Sequence, residues 1–210
     1  MNVRQGDGER RWTEAGRPVV PSLAVDGRVS PILHVSQIAE ALGLPPPPAG
    51  SPRHEAEEAA EILRAWIERI RELEWSVFVA PTPARGRSLR NLTVNVFHPF
   101  ELLPAAWESG EFGWYPENDG ELEEQLAGRE QVLRFAEAAA TGWQRFLSGC
   151  EFDGDPYVVT PRGRVPFSTL VSFQRWHAAY HYRQLLAVLG RDDAFHLPPL
   201  EGVVLPSDVF

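Results

Sequence analysis

The run PPPPAGSP at 45–52 can be neither helix interior nor central strand, because proline fixes φ and removes the backbone donor that both ladders use. It reads as a stiff extended linker and divides the chain into two patterns. Before it, RPVVPSLAVDG (17–27) and RVSPILHV (28–35) are short and β-branched, and Asp26-Gly27 between them signals a hairpin turn. Ser36 is placed to cap a short helix, QIAEALG, that stops at Gly43. After the linker the apolar period becomes helical. Ala56, Ala59, Ala60, Leu63, Trp66, Ile67, Ile70 and Leu73 recur at spacings of three and four.

Three more helices are expected. SLRNLTVNVFHPF (88–100) is apolar enough for a buried helix that Pro99 ends or kinks. GEFGWYPENDG (110–120) reads as loop, and residues 121–147 as one long helix with Leu122, Leu126, Leu133, Ala136, Ala140, Trp143 and Leu147 on one stripe. DPYVVTPRGRVPFS (155–168) contains a small hairpin around Arg162-Gly163. The last helix, 167–189, carries Leu170, Gln174, His177, His181, Gln184 and Val188 on a common face. Four long helices in one region predict a bundle. The expected organisation is a small α/β segment at 1–44, the linker at 45–52, a helical bundle at 53–190 and an extended, proline-rich tail at 191–210. The fold class is mainly α.

Composition narrows the function. Net charge is −9 with no cluster of basic residues, which argues against nucleic acid and anionic membrane as partners. A single cysteine, Cys150, excludes an internal disulfide and a cysteine-built zinc site. No stretch approaches the length of a membrane helix, and MNVRQGDGERRW has no apolar run of a secretory signal, so a cytoplasmic location is expected.

The sharpest chemical feature is WHAAYHYRQL. His177 and His181 are four residues apart, so their rings stack on one side of a helix, and that side also holds Leu170 and Val188. A buried imidazole needs a hydrogen-bond partner or a metal. Two core histidines satisfied by Ser, Thr or Tyr are the competing reading. His98, on a different helix, supplies a third donor, and three His ligands leave an open position on zinc. HAAYH lacks the Glu of the HExxH proteases, and no Glu-x-x-His is present to build a ferritin-like di-iron site.

These residues carry a resemblance. In helix order and spacing, 53–190 resembles the DinB-like four-helix domains, which include bacillithiol transferases and mycothiol-dependent maleylpyruvate isomerases. The run ending in His98 and the His-x-x-x-His of the last helix match the family pattern; Pro99, directly after His98, departs from it. The resemblance implies a metal site at His98, His177 and His181, with zinc the first choice and nickel, cobalt, manganese or iron admissible. It further implies a low-molecular-weight thiol as cosubstrate and a small electrophile as substrate, hence a thiol S-transferase or thiol-dependent isomerase. A non-catalytic, stress-associated metal-binding protein and a metal-assisted hydrolase, with Glu101 as its carboxylate, are the alternatives. The segment before the linker resembles the second half of a glutaredoxin or thioredoxin-type fold, in which Val20-Pro21 would dock a glutathione-like thiol. It contains no cysteine, so it is no dithiol centre.

Around the histidines, Tyr180 and Arg183 are candidates for catalysis, and Arg90 and Arg175 for clamping a substrate carboxylate. Cys150 has acidic neighbours and is not expected to be a nucleophile. His34, His54 and His196 are expected to pack or to be solvated. The Trp-rich helices would permit a homodimer.

Overall fold

A computed structural model describes residues 10, 13–14, 22–26, 28–32, 35–45, 51–82, 86–114 and 119–190. Val20, Pro21, His34, His196 and the expected tail lie outside the described residues. The chain divides into two compact units, residues 1–49 with 162–164, and residues 50–161 with 165–210.

In the first unit, β1 (Ser22–Val25) and β2 (Arg28–Pro31) pair antiparallel with Val25 opposite Arg28. That register leaves a two-residue connection, and Asp26 takes a φ of 48°, a left-handed conformation that Asp tolerates because its short polar side chain bonds locally. Helix α1 (Val35–Ala41) begins two residues earlier than expected, so Ser36 falls inside its first turn instead of capping it. Its end follows the expectation. Gly43 has φ 65°, the Leu44 N–H bonds the Ala39 carbonyl at 2.8 Å and the Gly43 N–H bonds that of Glu40 at 3.1 Å. Those are the two bonds of a Schellman cap, which satisfy carbonyls the helix leaves open.

The second unit is built on long helices. α2 (Pro52–Ile70) starts with proline where its missing N–H costs nothing, and buries Ala56, Ala59, Ile62, Leu63, Trp66, Ile67 and Ile70. A short α3 (Trp75–Val79) follows. α4 (Leu89–Ser109) is capped by the Ser88 side chain, which accepts from the Asn91 N–H at 3.1 Å. Of the end or kink expected at Pro99, the end is corrected: α4 runs through Pro99 and Pro104 and closes at Gly110, φ 72°. Each proline removes one ladder bond. Burial of Val94, Val96, Phe97, Phe100 and Leu103 on both sides of Pro99 offsets that loss, as tertiary packing commonly overrides local propensity.

The single helix expected at 121–147 is also corrected. α5 (Asp119–Gln125) and α6 (Arg129–Gly149) are separate, with Gly128 extended (φ −141°, ψ 155°) at the start of α6. Strands β3 (Tyr157–Thr160) and β4 (Gly163–Pro166) form a two-stranded sheet, its turn one residue before the position expected. α7 (Phe167–Val188) begins beside Asp155, whose carboxylate accepts from the Ser168 N–H at 2.8 Å and its hydroxyl at 2.6 Å.

Helix α2 packs on α6 and α7, and α4 packs on the same two helices, so four long helices close into a ring around one core. Aromatic side chains fill it. Trp66 meets Phe97 edge-on at 6.3 Å, and Phe100 meets Trp143 at 5.4 Å. The indole N–H of Trp143 reaches the Ala56 carbonyl at 3.1 Å, joining α6 to α2. Among the described residues, no helix is long and apolar enough to cross a membrane.

Candidate functional site

Helix α4 offers Asn91, Asn95 and His98 on one face, by the spacings of four and three that bring side chains together. Helix α5 lies against α4 and offers Asp119 and Glu123, again four apart. The two sets interlock. Glu123 accepts from Asn91 Nδ2 at 2.7 Å and from Arg90 Nε at 3.0 Å. Asp119 accepts from Asn95 Nδ2 at 2.9 Å and from His98 Nδ1 at 2.7 Å. The Trp114 indole N–H donates to the same carboxylate at 3.2 Å. With 1% of its surface exposed, Asp119 is a buried acceptor holding three donors.

The network continues into α7. Asn95 turns its amide nitrogen to Asp119, so its carbonyl oxygen faces His177 Nε2 at 3.1 Å. His177 and His181 are both buried, their rings edge to face with centroids 4.6 Å apart. His181 Nδ1 meets Gln184 Oε1 at 2.5 Å. Oxygen acceptors at one nitrogen of each ring assign the proton there and leave the lone pair on the other: Nε2 for His98 and His181, Nδ1 for His177. All three imidazoles thus belong to one connected environment at the junction of α4, α5 and α7. Gln174, one turn before His177, is fully buried, and its amide has no hydrogen-bond partner among the described residues.

A divalent cation fits these side chains in donor chemistry: neutral imidazoles, one of them backed by a carboxylate as metal-bound histidines commonly are. It does not find a gathered ligand set. Among the described residues, no three His, Cys, Asp or Glu side chains stand close enough together to hold a metal ion.

The remaining expected residues divide. Tyr180 packs its ring against His181 at 5.2 Å and stacks on Trp176 at 5.3 Å, so it borders the histidines. Arg183 is half-buried on the same helix. Arg90 is bound to Glu123, and Arg175 lies 3.3 Å from Glu58 of α2, so both guanidinium groups serve interhelical ion pairs. Glu101 is exposed on α4. Cys150 is buried, its carbonyl held by Arg53 at 2.9 Å, and His54 is exposed beside Glu58.

Asp119, Asn95 and Trp114 had not been singled out from the sequence. Asn95 could have been, since it lies three residues before His98 on a helix already read as buried. Asp119 and Trp114 carried no such signal inside GEFGWYPENDG. Comparison with protein-family models, with curated proteins and with solved structures finds no match to this chain.

Proposed function

We propose that this protein is a divalent-metal-dependent enzyme that activates a low-molecular-weight thiol for transfer to, or isomerisation of, a small electrophile. The observation that carries this reading is the linkage of His98 to His177 through Asp119 and Asn95, with His181 against His177 one turn on and both of these rings buried. Burying several histidines in one place has a cost, and an enzyme site is where such a cost is commonly retained.

When bound, the cation would lower the pKa of a coordinated thiol, making a strong nucleophile at neutral pH. The chain's own residues do the rest. Asp119 holds the proton on Nδ1 of His98 and fixes the ring, and Gln184 does the same for His181. Asn95 orients His177, and Trp114 and Phe173, 5.4 and 6.1 Å from its ring, limit water around it. Tyr180, against His181, is the phenol placed in this reading to donate a proton to a departing or developing anion. His98, with 19% of its side chain exposed, is the most accessible of the three imidazoles.

A second reading rests on the Asp119–His98 pair alone. A buried carboxylate 2.7 Å from a partly exposed imidazole is the arrangement of a general base, and it needs no metal. Cobalt substitution separates the two. The thiol reading predicts that cobalt-loaded protein develops a thiolate-to-cobalt charge-transfer band when glutathione or a bacterial thiol is added. Cobalt binding with no response to any thiol contradicts thiol activation and leaves the acid–base dyad.

A further inference from the structure

A cleft of about 380 Å³ opens at the start of α4 and ends on Asn95, the amide that bridges Asp119 and His177. Its volume falls within the range of small-molecule sites. A larger cleft of about 700 Å³ lies between α2 and α6, but it is lined by Glu57, Arg64, Glu137 and their neighbours and reaches none of the network residues. The smaller one does. Val79, an exposed apolar side chain, and Pro81 form its greasy wall; Arg87, Asn91, Asn95 and Glu123 supply the polar groups.

Among the described residues the lining of this cleft holds one cation, Arg87, and one anion, Glu123. Glu123 is already neutralised by Arg90 at 3.0 Å and bonded by Asn91. Arg87 is half-buried, and among the described residues its guanidinium makes no ion pair or hydrogen bond. Among the described residues that line the cleft, Arg87 is therefore the cation left to meet a ligand. A monoanion matches it, whereas a phosphate near −2 would leave surplus negative charge beside Glu123. At the far end, Asn95 has spent one N–H on Asp119 and one lone pair on His177, so the amide keeps one donor and one acceptor site for a ligand. From Ser88 to Asn95 the helix axis advances about 10 Å at ~1.5 Å per residue.

We propose that this cleft binds a short carboxylic acid, its carboxylate on Arg87, its chain along Val79 and Pro81, and a carbonyl or amide at its far end on Asn95. This names the substrate class for the site read above as catalytic and rests on that reading for its role. The binding itself requires neither the metal nor His181, so the two claims fail separately.

The test uses succinamate, which carries a carboxylate at one end and an amide at the other, titrated into the full-length protein with and without chelator. Side-chain amide signals of Asn91 and Asn95 should shift saturably in both conditions. Arg87→Gln, at a half-exposed position where folding is not at stake, should weaken binding about tenfold or more, the loss expected for a charge-assisted bidentate pair. The uncharged succinamide should bind at least as weakly as that variant allows. Absence of shifts at these amides, equal affinity in Arg87→Gln, or equal binding of succinamide would overturn the proposal. Inorganic phosphate displacing succinamate at equal concentration would overturn the preference for a carboxylate. Loss of binding on chelation alone would show that the metal, and not Arg87, holds the ligand.

Discussion

Asp119→Ala is expected to destabilise the protein by about 3–5 kcal/mol, one of the largest single-residue effects in the chain. The carboxylate is almost wholly buried and accepts from Asn95, His98 and Trp114. Removing it leaves up to three donors facing a cavity, and each unsatisfied buried donor costs about 1–3 kcal/mol. Water can reach His98, which is partly exposed, so the three losses do not add in full. Asp119→Asn keeps the shape and one acceptor oxygen but turns an NH₂ toward a donor, and should cost about 1–3 kcal/mol. Guanidinium unfolding followed by far-UV circular dichroism measures both. A shift within about 0.5 kcal/mol for the alanine variant, the usual range for a surface substitution, would mean the network does not hold α5 against α4.

Trp66→Ala is expected to cost a similar amount, about 3–5 kcal/mol, for a different reason. Trp66 is fully buried on α2 and packs on Phe97 of α4, across the core, and on Tyr182 of the neighbouring α7. Truncating it opens a cavity at the point where three helices meet. Its indole N–H also donates to Thr93 Oγ1 at 3.1 Å, and Thr93 in turn donates to the Leu89 carbonyl at 2.8 Å. Trp66→Phe keeps a six-membered ring but loses the five-membered ring and its donor. It should therefore cost the cavity of the missing ring plus about 1 kcal/mol for the hydrogen bond, well below the alanine variant. Equal unfolding midpoints for the two variants would show that packing around Trp66 is loose, contrary to the close ring contacts.

The helices with a strong apolar stripe were legible in the sequence because one buried face imposes one period. α7 is the clearest case: Leu170, Gln174, His177, His181, Gln184 and Val188 were placed on one face, and all are buried but Val188, which is half-buried. The turn at Asp26 and the stop at Gly43 were legible because each needs a left-handed backbone that few residues adopt. Pro99 misled because its local cost is visible in the sequence, while the burial of Phe97 and Phe100 that offsets it depends on helices far along the chain. The break at 126–128 was hidden because Leu122, Leu126 and Leu133 keep a helical rhythm across it and a glycine such as Gly128 is tolerated within helices.

For the site, the histidines were legible and their partners were not. His177 and His181 announce themselves by spacing on one apolar helix. Asp119 lies in a segment that reads as loop, and its bonds to His98 and Asn95 depend on how α5 docks on α4. Only tertiary structure brings the Asp119 carboxylate of α5 and the Asn95 amide of α4 together, so no period in the sequence encodes the pair.

The measurement that bears most directly on the central claim is the metal content of the purified protein, compared with His177→Ala/His181→Ala, after dialysis against a weak chelator and reloading with zinc. The native chain should retain near-stoichiometric divalent metal, and the double variant should lose it while keeping most of its helix signal. A native chain that holds no metal after reloading, or a double variant that holds as much as the native one, would contradict the metal-dependent reading.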